Sequence, residues 1–203
     1  MPNRSDERRL SRQSKAFLFI NELYSQSLIL RKVREHDLPF LELWSNSKDA
    51  HGEYLTPECM SLGELKEKHK SDFFWNDDSK LYLIVNKDNS LPIGTIQYWR
   101  KRGTPNLACV AVKIASPAER RKGFGTEAQK VLIRHLFVVG GFAEIEMHTD
   151  IDNVAQQKCL KKLGFEFISS KNFSDHGVKR LGNLYRLDRK QYDSAPEFIY
   201  YYD

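Results

Sequence analysis

The stretch that decides the fold is VKIASPAERRKGFGTEAQKVL, residues 112–132. An apolar segment typical of a β-strand stops before Pro117, three consecutive cations follow, and two glycines lead into apolar residues at helical spacing. In such a junction the first amides of the helix and its positive end point at one spot. Gly123 and Gly125 put no side chain between that spot and a ligand. The junction therefore predicts a binding site for a compact anion such as a pyrophosphate.

Two other interpretations compete for the same residues. Gly123, Gly125 and Ala128 satisfy the dinucleotide-binding pattern G-x-G-x-x-A, which requires its first glycine directly after a buried strand. Here eight residues separate Gly123 from Ile114, and only about eighty residues remain for the rest of a doubly wound fold. The phosphate loop of nucleoside triphosphatases is excluded because its Gly-Lys-Ser/Thr ending is missing. A glycine-rich turn with a solvated basic face remains open on these residues alone.

Composition and charge limit the class of protein. The chain has 203 residues, of which 40% are apolar and 29% charged, as expected for one globular domain with terminal extensions. It shows neither an apolar run of the ~18 residues that span a bilayer nor a secretory signal, so no membrane partner is expected. Three cysteines without a CxxC pair predict no disulfide framework, no zinc site and a cytoplasmic location. The net charge of +5 permits nucleic acid binding, but the scattered cations disfavour such a partner.

The order of predicted elements indicates one mixed α/β domain. A strand at 27–33 precedes a helix that begins near Asp37, and Ser61 with Glu64 forms a capping-box pattern for a second helix. Further strands are predicted at 80–88, 91–100, 106–114, 143–150, 165–170 and 183–192, with helices after Gly123 and after Asn153. This order predicts a mixed, mostly antiparallel sheet flanked by helices.

The predicted domain spans residues 27–190. Residues 1–26 form an N-terminal extension with a strand candidate at 16–20, and residues 191–203 form a C-terminal tail. The tail ends in FIYYYD, whose aromatic residues would be exposed unless they pack on the domain or on a second copy. A homodimer is therefore one of the two arrangements that the tail predicts.

Two motifs in this order resemble those of the GNAT N-acetyltransferases. The stretch with Arg120, Gly123 and Gly125 is similar to the family's motif A, Arg/Gln-x-x-Gly-x-Gly/Ala, between an apolar strand and an amphipathic helix. Downstream, NVAQQKCLKKLGF at 153–165 resembles the family's asparagine-containing helix that ends in Gly-Phe. Upstream, LILRKVREHDL is similar to the opening of acetyltransferases acting on ribosomal-protein N-termini and of some aminoglycoside acetyltransferases. The resemblance covers roughly residues 27–190.

The resemblance implies a single-domain GNAT fold with acetyl-CoA as cosubstrate. Two parallel strands, 107–114 and 143–149, would splay apart at one end and admit the pantetheine arm between them. The implied cofactor-binding residues are Lys113, Ile114 and Ala115 through their backbone, Arg120, Arg121, Lys122, Gly123, Phe124, Gly125 and Thr126 at the pyrophosphate, and Asn153 through its side chain. A simple helix cap explains Asn153 equally well.

The usual catalytic groups of the family are missing. The family's tyrosine acid corresponds to Leu160 here, the serine of the ribosomal-protein subgroup corresponds to Gln156, and the strand before motif A holds no glutamate base. On the strand at 143–150, His148 and Glu146 share one face. We predict His148 as the general base, with Glu146 as a relay or rival; a structural histidine is the alternative. No histidine–carboxylate spacing indicates a metal.

The predicted function is transfer of an acetyl group from acetyl-CoA to a primary amine, directly, in a ternary complex. The acceptor would be a protein N-terminus or a small amine, because the basic net charge disfavours a polycationic aminoglycoside. The alternative is a GNAT-like module that binds a CoA ester without turnover, since the usual acid and base are missing.

Overall fold

The computed structural model describes residues 21–194. The predicted strand at 16–20 and the aromatic tail from residue 195 onward lie outside this range, and so does most of the N-terminal extension. The prediction of a homodimer through that tail therefore stays a prediction.

One sheet of eight strands runs through the described part of the chain. Its strands are Glu22–Tyr24 (β1), Leu28–Lys32 (β2), Ser79–Asn86 (β3), Pro92–Lys101 (β4), Thr104–Ile114 (β5), Glu144–Asp150 (β6), Glu166–Asp175 (β7) and Val178–Asp188 (β8). They lie side by side in the order β1-β2-β3-β4-β5-β6-β8-β7. Only β5 and β6 are parallel, which confirms the predicted mixed and mostly antiparallel sheet.

Six helices accompany the sheet in the described residues. They are Leu38–Ser45 (α1), Lys48–His51 (α2), Leu62–Lys70 (α3), Phe124–Val138 (α4), Val154–Lys162 (α5) and Arg189–Ser194 (α6), with single 3-10 turns at Glu35–Asp37 and Pro117–Glu119. The predicted capping box begins α3: the Ser61 hydroxyl accepts from the Glu64 amide, and the Glu64 carboxylate accepts from the Ser61 amide.

The parallel strands β5 and β6 separate after a short contact. Their pairing runs from Leu107 opposite Glu144 to Cys109 opposite Glu146. Beyond that point β5 continues to Ile114 beside β4 alone, and β6 continues beside β8. We call the opening between the two diverging strands the strand gap. Its presence confirms the splayed pair that the resemblance implied.

The two faces of the sheet carry separate apolar cores. Helices α4 and α5 pack on one face, where Leu132, Leu136 and Leu160 are fully buried. Helices α1 to α3 cover the other face through residues such as Leu38 and Leu65. None of the helices in residues 21–194 is long and apolar enough to cross a bilayer.

A buried ion pair fixes the start of the second layer. The Arg31 guanidinium binds both oxygens of Asp37 at 2.6 and 2.8 Å, and the Arg34 amide donates to the same carboxylate. Burial alone would raise the pKa of Asp37, but these hydrogen bonds outweigh it and lower the pKa. Strand β2 is thereby tied to the turn that leads into α1.

Several segments differ from the sequence prediction, among them the closing strands β7 and β8, which form a longer hairpin than predicted. The N-terminal extension contributes the edge strand β1, which pairs antiparallel with β2. Residues 189–192 were predicted as strand but belong to α6, because the Asp188 carboxylate accepts from the Lys190 amide and starts a helix. Tyr192 then packs against Phe137, with ring centroids 5.0 Å apart.

Candidate functional site

The start of helix α4 leaves its first amides open to a ligand. Gly123 is the N-cap, offers no side-chain hydrogen bond, and has a φ of 89°. Apart from its chain neighbours, no described atom lies within 4 Å of where a Cβ on Gly123 would be. Arg121 also has a left-handed backbone, with a φ of 63°. Turns of this kind direct successive amides into a concavity that binds anions, and we call residues 121–126 the anion cradle.

The three consecutive cations at 120–122, where the cradle begins, have different environments. Arg120 donates from Nε to the Ile114 carbonyl at 2.9 Å and from Nη2 to the Ala50 carbonyl at 2.9 Å. The Arg120 side chain therefore links the end of β5 to α2, and its predicted role as a phosphate-screening charge stays a prediction. Arg121 and Lys122 are exposed, and Lys122 pairs with Glu119 of the preceding turn at 3.1 Å.

Backbone groups of β5 border the strand gap. The Ala115 amide donates to the Ile93 carbonyl at 2.8 Å, so this predicted contact is already engaged. Alternate residues of an antiparallel strand direct their backbone groups to opposite edges. Since Ala115 bonds toward the β4 side, the backbone of Lys113 does so as well. The gap-facing groups accordingly belong to Val112 and Ile114, which shifts the predicted set by one residue.

Asn153 caps the helix on the far side of the strand gap. Its Oδ1 accepts from the Gln156 amide at 3.1 Å, which confirms the cap interpretation. Its side-chain nitrogen makes no hydrogen bond to the described residues. The residue can therefore cap α5 and still donate to a ligand, as the predicted role requires.

A buried polar network joins the cradle to helix α5. Gln129, fully buried, donates to the Gly125 carbonyl at 2.8 Å and accepts from Gln156 at 2.8 Å. Cys159 lies 3.2 Å from the Thr126 hydroxyl and 3.3 Å from Gln129. The Thr126 side chain thus faces α5, leaving its amide for the cradle. Gln156, at the position of the subgroup's serine, is held in this network.

Two further predicted positions serve packing. Leu160, at the position of the family's tyrosine, is fully buried in the core and offers no proton. Phe124 packs against the same core while its backbone opens α4. The side chains at both positions therefore hold α4 and α5 on the sheet.

A cavity of about 790 Å³ lies on the face of the sheet covered by α1 and α3. Its floor is formed by β3, β4 and β5. Its apolar wall consists of Leu41, Trp44, Leu55, Phe73, Phe74 and Trp99. Ala111, Val112 and Lys113 of β5 line the cavity. Since the same stretch of β5 borders the strand gap, the two spaces share one strand.

The carboxylates in this cavity are already engaged. Glu64 caps its own helix, as described above. Asp175 accepts from the Thr56 amide at 2.7 Å and pairs with Arg180 at 3.3 Å. The third carboxylate, Glu58, is bound by a histidine and a lysine. The cavity therefore offers little uncompensated negative charge.

Glu58 belongs to a cluster with His51 and Lys113. His51 Nε2 lies 2.7 Å from Glu58 Oε2 and 3.0 Å from Lys113 Nζ, and Lys113 Nζ lies 3.3 Å from Glu58 Oε1. Burial would raise the pKa of Glu58, but the hydrogen bond with His51 and the nearby Lys113 lower it to about 2. Burial lowers the pKa of Lys113, against the opposing effect of Glu58.

Only one feature of the sequence hints at this cluster. His51 ends a one-turn helix, Glu58 lies in the following loop, and Lys113 comes from a strand 62 residues after His51. Lys113 was predicted only as a backbone contact. The one available hint was a charged residue inside an otherwise apolar strand.

The two predicted catalytic residues lie on β6, away from the cavity lining. The surface of His148 is exposed, but its ring is partly shielded from water by its neighbours, and this desolvation together with Lys171 lowers its pKa. Glu146 is fully buried and binds Lys101 and Arg186, each at 2.7 Å. Burial would raise the pKa of Glu146, but the two cations outweigh it and lower the pKa. A carboxylate held in this way is a weak base, which conflicts with the relay predicted for Glu146.

The structure thus contains an anion cradle, a strand gap and a capping asparagine. The family model of the acetyltransferase (GNAT) domain matches residues 27–166. The chain belongs to the GNAT acetyltransferase family. The described residues of this acetyltransferase hold no group of three or more potential metal ligands.

Relatives of this GNAT acetyltransferase differ in their acceptors. An aminoglycoside N(6')-acetyltransferase type 1 from Klebsiella pneumoniae is 24% identical over 156 residues, which cover 70% of this chain and 75% of the relative. A GCN5-related N-acetyltransferase from Brucella melitensis shares the fold with a TM-score of 0.69 and 17% identity, over 87% of this chain and 86% of that one. RimL, a ribosomal L7/L12 alpha-N-protein acetyltransferase solved with coenzyme A, gives a TM-score of 0.71 and 16% identity. The match covers 82% of this chain and 97% of RimL.

Proposed function

We propose that this GNAT protein moves the acetyl group of acetyl-CoA to a primary amine that enters the cavity. The observation that carries the proposal is the shared strand: residues 111–113 of β5 line the cavity, and the same strand borders the strand gap. A thioester in the gap and an amine in the cavity would then meet across one strand. Direct transfer in a ternary complex needs no covalent enzyme intermediate.

Acetyl-CoA would be held mainly by backbone groups. The anion cradle supplies amides and a helix N-terminus to the pyrophosphate, with Arg121 and Lys122 adding exposed positive charge. The backbone of Val112 and the amide of Ile114 would pair with the pantetheine arm, since the Ile114 carbonyl already accepts from Arg120, and Asn153 would donate from its side-chain nitrogen. Most of these contacts come from the backbone and do not depend on side-chain identity. They can therefore be kept in family members whose side chains differ.

The proposed reaction is a simple acyl exchange. The acceptor ammonium first loses a proton, because only the neutral amine has a lone pair for attack. Its nitrogen then forms a C–N bond with the thioester carbonyl carbon while the C–S bond breaks. The CoA thiolate leaves with the bonding electrons and takes up the second proton of the nitrogen. The net products are an N-acetyl amine, free CoA and one released proton.

The cavity favours an acceptor with one amine and an apolar body. Its wall is aromatic and aliphatic, and its carboxylates Glu58, Glu64 and Asp175 are engaged by protein donors. A polycationic acceptor would lose hydration without gaining free carboxylates in return. The aminoglycoside specificity of the curated relative is therefore not transferred to this chain; a protein N-terminus or small monoamine fits better.

An acceptor panel with CoA release as readout tests this function. Phenethylamine and a short peptide with a free apolar N-terminus represent the favoured class, and spermidine and kanamycin represent polycations. We expect kcat/KM for at least one favoured acceptor to exceed both polycation values by tenfold or more. Acetyl-CoA binding without amine-dependent CoA release from any acceptor would instead identify a binding module without turnover.

A further inference from the structure

The His51–Glu58–Lys113 cluster sets the proton positions in the acceptor cavity. The His51 and Lys113 side chains are only 1% and 15% exposed, and the Glu58 side chain is 27% exposed and lines the cavity with Lys113. His51 Nδ1 lies 2.9 Å from the Ser47 carbonyl oxygen. A carbonyl oxygen only accepts, so Nδ1 carries a proton. The second ring nitrogen, Nε2, then faces both Glu58 and Lys113.

Counting protons leaves one arrangement in which each contact is favourable. If Nε2 had no proton, its lone pair would face the Glu58 carboxylate at 2.7 Å, with no hydrogen between two acceptors. If Nε2 has a proton and Lys113 is an ammonium, two cations lie 3.0 Å apart. With Nε2 protonated and Lys113 a neutral amine, the ring donates to Glu58, and the lysine nitrogen faces the donor with its lone pair.

The distances within the cluster agree with this arrangement. The contact of His51 with Glu58, 2.7 Å, has the length of a charge-assisted hydrogen bond. The contacts of Lys113 Nζ with the two Glu58 oxygens, 3.3 and 3.4 Å, are longer than an ammonium–carboxylate pair of the usual 2.7–2.9 Å. The strong pair is therefore between His51 and Glu58, and Lys113 is the secondary partner.

We propose that the cluster holds Lys113 as a neutral amine and that this amine accepts the proton which the acceptor ammonium must lose. The proposal rests on the proposed function, and it assigns the proton acceptor to the cavity rather than to His148 on β6. Burial of Lys113 lowers its pKa, in agreement with the geometry. Lysine changes its pKa readily when buried and serves as a general base in other enzymes.

Among the other charges around the cluster, Asp175 acts on Lys113 and opposes the effect of burial on its pKa, although this carboxylate is itself bound by other groups. From the β7–β8 hairpin, Asp175 pairs with Arg180, and His176 lines the cavity. The remaining charged groups that face the cluster are Arg120, bound to carbonyls of α2, Glu64 in its capping box, and Lys68 over the Phe73 ring. None of them offers Lys113 a second carboxylate at hydrogen-bond distance, which would restore its ammonium form.

The proton transfer balances without an added reagent. The neutral Lys113 amine first turns its lone pair from His51 toward the cavity by rotation about its Cε–Nζ bond. The acceptor R–NH₃⁺ then gives one proton to the Lys113 nitrogen, directly or through one water, and becomes R–NH₂. After attack on the thioester, the thiolate takes the second proton of the acceptor nitrogen. Lys113, now an ammonium beside the His51–Glu58 pair, returns its proton to solvent and regains the neutral form before the next turnover.

Substitutions at Lys113 separate proton acceptance from charge. With the most active amine of the panel, Lys113→Met should lower kcat/KM at pH 7 by about 10²-fold, the range for loss of a general base. Lys113→Arg keeps the positive charge and the donors but stays protonated, so it should not restore the rate. Lys70→Met, on the exposed face of α3, is the matched control and should leave kcat/KM unchanged.

The pH–rate profile and the acetyl-CoA affinity complete the test. Both Lys113 variants should lose the ionisation that limits the wild-type rate at low pH, while acetyl-CoA affinity measured by calorimetry stays within twofold. Full activity of Lys113→Arg would overturn the proposal, and so would loss of the low-pH limb in His148→Ala with Lys113→Met unaffected.

A spectroscopic readout needs no acceptor at all. In the unliganded protein at pH 7, ¹⁵N-histidine spectra should show protons on both ring nitrogens of His51. A lone pair on Nε2 would contradict the proton count, even if the panel established the acetyltransferase activity. Conversely, a correct His51 signal with no turnover for any amine would overturn the proposed function and leave the described geometry intact.

Discussion

The anion cradle and the acceptor cavity meet at strand β5 but are built in opposite ways. The cradle consists of main-chain amides within six consecutive residues, with Gly123 leaving the approach open. The cavity is formed by side chains from α1, α3, the loop after α2, three strands and the β7–β8 hairpin. Its His51–Glu58–Lys113 cluster is largely shielded from solvent and mutually paired, whereas the cradle has exposed cations only at its rim.

This difference indicates which half of the reaction each region controls. A site made of backbone amides binds any ligand with the right phosphate geometry and is insensitive to most substitutions. A site made of buried side chains depends on the protonation state of each member. We therefore expect the cavity to respond strongly to pH and to charge changes, and the cradle to respond mainly to changes in backbone conformation.

The largest expected effect is the pH-dependent stability from Glu58. Its pKa in the folded protein, about 2, lies below the reference of 4.5, so its stabilisation is complete above pH 4.5 and disappears as the pH falls toward 2. Glu58→Gln should lower the free energy of unfolding at pH 7 by about 2 kcal/mol. Urea unfolding at pH 7, 5 and 3.5 should show the difference from wild type shrinking at the lowest pH.

Glu67→Gln is the control for this measurement. Glu67 lies on the exposed face of α3, where its carboxylate pairs with Lys70 and is 75% exposed. Exposed pairs contribute little, so this variant should unfold like the wild type at each pH. A Glu58→Gln difference that stayed constant down to pH 3.5 would show that the carboxylate charge is not what stabilises the cavity.

A smaller effect is expected at the cradle from Gly123→Val. A β-branched residue disfavours a φ of 89°, and its side chain would occupy the open approach to the amides. Affinity for acetyl-CoA should fall at least tenfold, roughly 1.4 kcal/mol, as measured by calorimetry on folded protein. Gly103→Val is the matched control, because Gly103 also has a positive φ and open surroundings but lies in the β4–β5 turn.

The Gly103 variant separates backbone strain from ligand obstruction. Both substitutions should cost similar stability, while only Gly123→Val should weaken acetyl-CoA binding. Equal affinities in the two variants would remove the cradle from the proposed cosubstrate site.

The smallest effect is expected from Arg120→Ala. Because Arg120 braces carbonyls rather than pointing into the cradle, acetyl-CoA affinity should fall by no more than about threefold, or about 0.6 kcal/mol. The free energy of unfolding should fall by about 1 kcal/mol, since the Ile114 and Ala50 carbonyls lose their donor. Arg102→Ala, in the exposed β4–β5 turn, should change neither quantity. A tenfold loss of affinity would mean that the guanidinium contacts the phosphate directly.

The cradle could be predicted from the sequence because its determinants are local. A strand, two glycines and a helical apolar pattern follow one another within 112–132, and each constrains the backbone by itself. The capping box at Ser61 and the cap at Asn153 were predictable for the same reason. Backbone sites of this kind depend on neighbours in the chain.

The cavity could not be predicted because its members are distant in sequence. Lys113 meets His51 and Glu58 only after β5 has paired in the sheet and α2 has packed near its end. The carbonyl partners of Arg120 could not be predicted for a related reason: Ile114 and Ala50 lie on two separate elements. Side-chain direction in such cases is set by tertiary packing, which no local pattern encodes.

The alternation of β5 has a consequence for how this enzyme could change over evolutionary time. Val112 and Ile114 turn their backbone to the strand gap, a function that almost any residue except proline can supply. Lys113, between them, turns its side chain to the cavity and belongs to the cluster. A single substitution at position 111 would therefore alter the cavity while the backbone edge proposed for acetyl-CoA is inherited unchanged. The acceptor specificity of related enzymes could therefore change while they continue to use the same acetyl donor.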